Sequence, residues 1–369
     1  MNRLDFIDSL KGMAILGVLI VHSGMFCSGL PGAVKTVIEQ GSRSVLLFYI
    51  VSALSLFLSL DRRKEQETHL YKNFFIRRFF RIVPMFYGAV VFYLFFYGLG
   101  PNYWLGDAKN ISAGNIISHF LFVHGWNPYW INSIMRVEWA VAAEMTFYLL
   151  IPCLFKNIKS LYSAIAATLI LYILISQINY IMDRFPLISD EGVWRYFLEF
   201  WFPTQLPVFG LGIVLYFLLF ENGEIKGRLF QMNNKKIISF CYSLISLGLI
   251  GIIAYIYKSI PYYARSWPFG LAFTVFAYAI AIYPPKIIVN KFWCFLGKIS
   301  FSIYLMHMAV LPLSDRLARF ILGGNMPVGR YLLVLAITLF LTASMSYIAY
   351  NLVEQPLQNI GKRLIGRNA

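Results

Sequence analysis

Charge is scarce in this chain. Asp, Glu, Lys and Arg make up 13% of its 369 residues, against roughly a quarter in an ordinary soluble domain. Hydrophobic residues reach 59% and the mean hydropathy is +0.65. A water-soluble globular domain is thereby excluded, and the chain reads as an all-α integral membrane protein. Carboxylates are scarcer still, with 17 Asp and Glu against 32 Lys and Arg and a net charge of +15. A balance of that kind can signal nucleic-acid binding. Here the cations are spread over membrane-flanking loops and gather on one side, so topology and anionic lipid account for most of them and no nucleic-acid partner is expected. The four cysteines, Cys27, Cys153, Cys241 and Cys294, offer no disulfide framework and no CxxC metal pattern, and no metal site is expected; no permanently bound cofactor is expected either. The longest segments between apolar runs, 61–81 and 101–137, are too short to bury a core of their own. Residues 1–369 therefore read as a single membrane domain.

What the chain has in quantity is long apolar runs. Crossing lipid as a helix takes about 20 mainly apolar residues. Such runs occur at 8–28, 44–60, 82–100, 138–155, 160–182, 199–220, 237–257, 266–283, 292–314 and 331–352, which predicts a bundle of about ten transmembrane helices. The run at 44–60 is short, and Pro268 and Gly270 interrupt the one at 266–283. A further stretch at 114–125 is too short to span and reads as re-entrant or interfacial. The first run keeps Asp5 and Asp8 in its flank and lacks a small-residue cleavage site, so it is expected to be a retained helix and not a signal peptide. Short cytoplasmic loops carry excess Lys and Arg. With the N-terminus inside, the inner segments hold Arg3, Lys11, the Arg62–Arg81 cluster, Lys156, Lys159, the run from Lys226 through Lys236, Lys286, Lys291 and the Lys362–Arg367 tail. Both termini are then cytoplasmic.

Ionisable groups inside apolar spans are costly and mark reaction sites or pathways. Lys11 and His22 are eleven residues apart, close to three helical turns, so they share a face with about 16 Å between them along the axis. By the same rise His22 lies about 21 Å from the inner end of its span, His307 about 22 Å along its own span from Phe292, and Glu144 about 9 Å below Glu138. Three titratable groups are thus expected at one depth. A histidine beside a carboxylate can take a proton from a hydroxyl while the carboxylate fixes the ring tautomer, which is what O-acyl transfer requires. Taken singly, each residue also has a plainer reading. His22 can be satisfied by a nearby carbonyl, Glu144 by a neighbouring helix, and Arg77, Arg78 and Arg81 can serve as a positive-inside anchor.

Several motifs, in order along nearly the whole chain, resemble acyltransferase family 3. Residues Arg3 to Gly12 followed by His22 resemble the family's opening, with Lys11 where an Arg is usual. Phe48 to Leu54 resembles the second-helix motif, with Ser52-Ala53 where Ser-Gly is common. Phe75 to Pro84 is similar to the basic entry of the third helix, and Glu138-Trp139-Ala140-Val141-Ala142-Ala143-Glu144-Met145-Thr146-Phe147-Tyr148 to the Trp-Ser-Leu-x-x-Glu-x-x-Phe-Tyr block, with Ala140 replacing the serine. Ser300 to His307 and Val353-Glu354-Gln355-Pro356 complete the series.

The resemblance implies a ten-helix enzyme of the bacterial cytoplasmic membrane that moves an acyl group, usually acetyl, from cytoplasmic acyl-CoA to a hydroxyl of a surface polysaccharide or its lipid-linked precursor. Some members of the family carry an extra periplasmic hydrolase-like domain; this chain ends soon after its tenth run and is expected to be the stand-alone form. Acetyl-CoA or another acyl-CoA is then a co-substrate, and the glycan acceptor and membrane lipid are the expected partners. His22 is expected as general base, with Glu144 orienting or charge-balancing it. Lys11, Arg77, Arg78, Arg81 and Lys298 are placed on the inner side to meet CoA phosphates. On a helix Arg77 and Arg81 share a face and Arg78 points elsewhere. Trp139, Tyr304, His307, Asn127 and Asn132 are expected on the acceptor side. The aromatic segment 124–132 can equally anchor at the interface, and Glu354 reads as readily as a cap or ion-pair partner.

A different class, a multispan transporter or exporter of an acylated or anionic small molecule, would use the same buried charges as a binding and proton relay. The absence of paired interrupted helices in matching halves weighs against it. A membrane sensor or scaffold explains neither His22 nor Glu144.

Overall fold

A computed structural model of the chain describes residues 4–100, 110–226, 233–323 and 326–366. Arg3, Arg367 and part of the 226–236 run used for the orientation argument lie outside them. The elements are α1 (Asp5–Met25), α2 (Gly32–Glu39), α3 (Ser44–Asp61), α4 (Leu70–Tyr97), α5 (Ala113–Phe120), α6 (Trp139–Asn157), α7 (Leu161–Arg184), α8 (Glu191–Phe200), α9 (Phe202–Leu219), α10 (Lys235–Tyr255), α11 (Ser266–Ile282), α12 (Lys291–Lys298), α13 (Ser300–Leu322), α14 (Pro327–Ala349) and α15 (Gln355–Gly366). The only strands among the described residues are β1 (Phe220–Glu221) and β2 (Glu224–Ile225), an antiparallel hairpin. Its Asn222-Gly223 turn has positive φ at both residues, as a two-residue hairpin requires.

Nine helical stretches among the described residues are long and apolar enough to span a membrane, and α12 with α13 makes a tenth if the bent pair counts as one. The protein is an all-α integral membrane protein. The short run at 44–60 is extended by α2 and an intervening turn into the stretch Gly32–Asp61, and the interrupted run near 266 becomes Tyr262–Ile282. The ninth run departs from expectation: what reads as one helix over 292–314 is broken at Ile299 and bent by 75°. Asn290 starts α12 by accepting from the Phe292 and Trp293 amides, and α12 then lies against the start of α1.

Two compact units divide the chain: Met1–Val45, Ile76–Gly98 and Val289–Asn368 form the first, Leu46–Phe75 and Leu99–Ile288 the second. In the first, α1 is the central element, with Leu10, Ile15, Val18 and Leu19 fully buried. Its contact with α12 is backbone on backbone. A Cβ at Gly12 would come 2.2 Å from the Trp293 carbonyl oxygen, and one at Gly297 would come 1.9 Å from that of Asp8, so only glycine permits the approach. From α4, Tyr93 donates to the Leu305 carbonyl of α13 at 3.1 Å. At the end of α14 the chain passes through one π-helical turn, Tyr350–Glu354, ahead of Pro356, where the proline cannot donate its helical hydrogen bond.

The second unit is built around α3, α6 and α9. Phe57, Phe147 and Phe209 are buried, and the rings of Phe147 and Phe209 stack at 4.1 Å. Ser239 and Ser246 of α10 donate to the Ala279 and Ala272 carbonyls of α11, each at 2.8 Å, the polar cross-links that helices use where lipid provides no hydrophobic drive. Leu169, Ile170, Ile173 and Leu174 of α7 stay exposed, as a lipid-facing stripe should.

Candidate active site

The closest approach of sequence-predicted site residues is in the first unit. His307, fully buried, points its Nε2 at Nδ1 of His22, 3.1 Å away, with ring centroids 4.9 Å apart. The roles of the four nitrogens follow from what surrounds them. Nδ1 of His307 faces two carbonyls, Tyr304 at 2.7 Å and Ile303 at 3.2 Å. Carbonyls only accept, so this nitrogen carries the proton. Nε2 of neutral His307 is therefore an acceptor, and Nδ1 of His22 must donate to it. Among the described residues Nε2 of His22 has no hydrogen-bond partner and keeps its lone pair. That is the tautomer a general base needs.

His307 therefore has a different place from the one expected. The bend at Ile299 puts it seven residues into α13, about 10 Å along that helix, and not 22 Å into a continuous span. It meets His22 because α13 packs on α1. Tyr304, buried and one turn before it, supplies the carbonyl that fixes the tautomer, and its ring lies 5.8 Å from that of His307.

Three turns below His22 on the same helix, Lys11 sits largely buried with its ammonium 3.5 Å from Asp8. Arg81, Asp8 and Arg78 are the charges that act on it. Residues three apart on a helix are neighbours as well as those four apart, and Arg78 acts on Lys11 together with Arg81. Arg77 is half-buried on the same turn of α4. Lys298, exposed, places its ammonium 4.8 Å from the Tyr350 ring. Arg81 also acts on Glu354, a buried carboxylate that accepts the Ser302 hydroxyl. Two of the motifs quoted above, Ser300–His307 and Val353–Pro356, thus meet through that bond.

Glu144 belongs to the second unit. Its Oε1 accepts the Ser52 hydroxyl at 2.7 Å and the Tyr148 hydroxyl at 2.6 Å, so the second-helix motif and the α6 motif also meet through a carboxylate. This is the bond to a neighbouring helix that the plainer reading of Glu144 anticipates. The amides of the loop before α6 serve the chain itself. Asn132, fully buried, accepts the Trp139 amide at 3.1 Å and donates to the Tyr196 hydroxyl at 2.7 Å, and Asn127 accepts the Tyr129 amide at 2.9 Å. Trp139 is buried against Phe200, rings 4.6 Å apart.

Glu138, which opens the α6 motif, was not among the expected site residues. It is fully buried at the head of α6, accepts the amides of Ile134, Met135 and Val137, and lies 3.3 Å from His119. His119 stacks on His124 with ring centroids 4.0 Å apart. Burial, and then the His119 ring, hold His124 well below the usual imidazole range. Three titratable residues close together in sequence, His119 in α5, His124 beyond it and Glu138 at the head of α6, were the signal available.

Fold and site define a polytopic helical membrane protein with a tautomer-locked histidine in its first span and a cationic cluster below it. The chain belongs to acyltransferase family 3: that family's acyltransferase domain matches residues 4–347. It is similar to proteins named "Putative O-acetyltransferase" from Staphylococcus aureus strains COL and MSSA476, 24% identical over 98% of this chain, and to "Putative acetyltransferase ORF330" of Acidianus two-tailed virus, 26% identical over 82% of each chain. The chain spans 58% of the length of the staphylococcal relatives. No solved structure matches it.

Proposed function

We propose that this protein transfers an acetyl group from cytoplasmic acetyl-CoA to a hydroxyl of a surface polysaccharide or its lipid-linked precursor, with Nε2 of His22 as general base. The observation that carries the reading is the His307–His22 bond of 3.1 Å, which leaves that nitrogen bare. In the proposed step the acceptor hydroxyl gives its proton to Nε2 while its oxygen attacks the thioester carbonyl. The C–O bond forms, the C–S bond breaks, and the departing CoA sulfur takes the proton from the imidazolium. His307 accepts the hydrogen bond of the charged ring throughout.

Lys11, Arg78 and Arg81 are assigned to the CoA phosphates, which meet cations on the inner side of the membrane. Arg77 and Lys298 remain secondary members of that set. The family usually has Arg at position 11, and an ammonium in its place provides charge without a planar fork. Glu144 is proposed as a further residue needed for turnover, on the strength of the motif it shares with the family. The excess of Lys and Arg in alternate loops supports both termini on the cytoplasmic side, and the family supports a bacterial inner membrane.

The test is transfer of labelled acetyl from acetyl-CoA to glycan extracted from cells with and without the gene. Loss of label in His22→Ala, with the protein still inserted, is the expected result. Undiminished label in that variant would overturn the assignment. A gain of about 42 Da per modified acceptor residue, the mass of an added acetyl group, identifies the donor group.

A further inference from the structure

At one end of the second unit the termini of four spans surround a cavity of about 350 Å³, large enough for a small ligand. Asp61 lies at the end of α3, Phe155 near the end of α6, Leu161 at the start of α7 and Phe217 near the end of α9. Three lysines line it, Lys64, Lys159 and Lys226, against two carboxylates, Asp61 and Glu221. Lys64 is matched by Asp61 at 2.9 Å, whose other oxygen takes the Tyr216 hydroxyl at 2.5 Å. Lys159 is different. Its ammonium is pinned by the Phe155 carbonyl at 2.7 Å and lies 4.9 Å from the Phe155 ring, contacts that fix the cation without neutralising it. The Lys226 ammonium donates to the Phe217 carbonyl at 2.6 Å.

Two further features bear on what this cavity takes. Ser160 caps the 24-residue helix α7 and lines the cavity together with Leu161, so the positive end of that helix opens into it. The outer face of α7 runs away from the same point as an exposed apolar stripe, Tyr162, Ile165, Leu169 and Ile173. A ligand with an anionic head at the span ends and an apolar tail along α7 satisfies both. Basic pockets between spanning helices hold anionic lipid headgroups by this arrangement.

We propose that the cavity binds the phosphate of an anionic phospholipid, with Lys159 as the principal cation and the acyl chain lying along α7. This site is independent of the acyl-transfer reading.

The full-length protein in detergent, titrated with phosphatidylglycerol and followed by its thermal midpoint and by native mass spectrometry, provides the test. Phosphatidylglycerol is expected to raise the midpoint where phosphatidylcholine and inorganic phosphate do not. Lys159→Gln should weaken phosphatidylglycerol binding about tenfold, the equivalent of about 1.4 kcal/mol. Lys156→Gln, three residues away and exposed but not lining the cavity, should leave it unchanged. Equal responses to the two lipids, or equal effects of the two substitutions, would overturn the proposal. So would inorganic phosphate alone reproducing the whole shift, since the site would then be one for a soluble anion.

Discussion

Replacing His307 by leucine removes the acceptor that holds Nδ1–H of His22 while keeping a buried apolar side chain in its place. In the wild type this bond spans 3.1 Å, and its acceptor is fixed because the Tyr304 and Ile303 carbonyls occupy the other nitrogen of His307. During proton uptake the donor ring becomes an imidazolium, so the bond becomes charge-assisted. Such bonds are worth about 1.5–3 kcal/mol, and each 1.36 kcal/mol is tenfold in rate. His307→Leu should therefore lower kcat by about 10- to 150-fold. His307→Gln separates this from packing, because its amide oxygen reaches about as far as Nε2 and can still accept. It should keep activity within about tenfold of wild type. The assay is steady-state acetyl transfer to glycan by purified protein, with folding checked by thermal midpoint. Full activity in His307→Leu, or equal losses in the leucine and glutamine variants, would refute the tautomer argument.

Four other outcomes follow from the geometry. Lys11→Met should weaken CoA binding about tenfold through loss of one charged contact, whereas Lys11→Arg, which restores a fork for phosphate, should bind at least as well as wild type; calorimetry with CoA reads both. Gly297→Ala puts a Cβ 1.9 Å from the Asp8 carbonyl oxygen and should cost about 1–3 kcal/mol as the helices are forced apart, while Gly248→Ala, which meets nothing within 4 Å, should leave the melting point unchanged or higher. Tyr148→Phe removes one of the two hydroxyls on Glu144 Oε1 and should lower stability by about 1.5–3 kcal/mol, seen as an earlier thermal midpoint; Glu144→Gln should lower turnover, measured by acetyl label. His124 is held neutral in the fold, well below the usual imidazole range, so unfolding takes up a proton once the pH falls below the unfolded value of about 6.5. Its contribution is complete above that pH and is lost going down, by up to about 1.4 kcal/mol per pH unit. His124→Gln should flatten the acid side of the stability profile relative to wild type, and parallel profiles would contradict this.

The spans were legible because lipid imposes a length and a composition on any helix that crosses it, and every apolar run that was read as a span corresponds to helix among the described residues. Lys11 and His22 were legible as a pair because one uninterrupted helix fixes their spacing. The break at Ile299 was not. The apolar run continues through it, and hydropathy carries no information about backbone direction. Ahead of the break, α12 lies backbone to backbone against α1 at Asp8 and Gly12, a contact between segments far apart in the chain.

The sequence by itself determined the membrane class, the helical spans, the family and the identity of the ionisable residues, since each depends on local composition or on motif order. Only the tertiary structure decided which of those residues meet. His22 and His307 are 285 positions apart, Ser52 and Glu144 are 92 apart, and Ser302 and Glu354 are 52 apart. Hydrogen bonds of that separation depend on how helices pack and where one of them bends, and single-helix periodicity does not encode either.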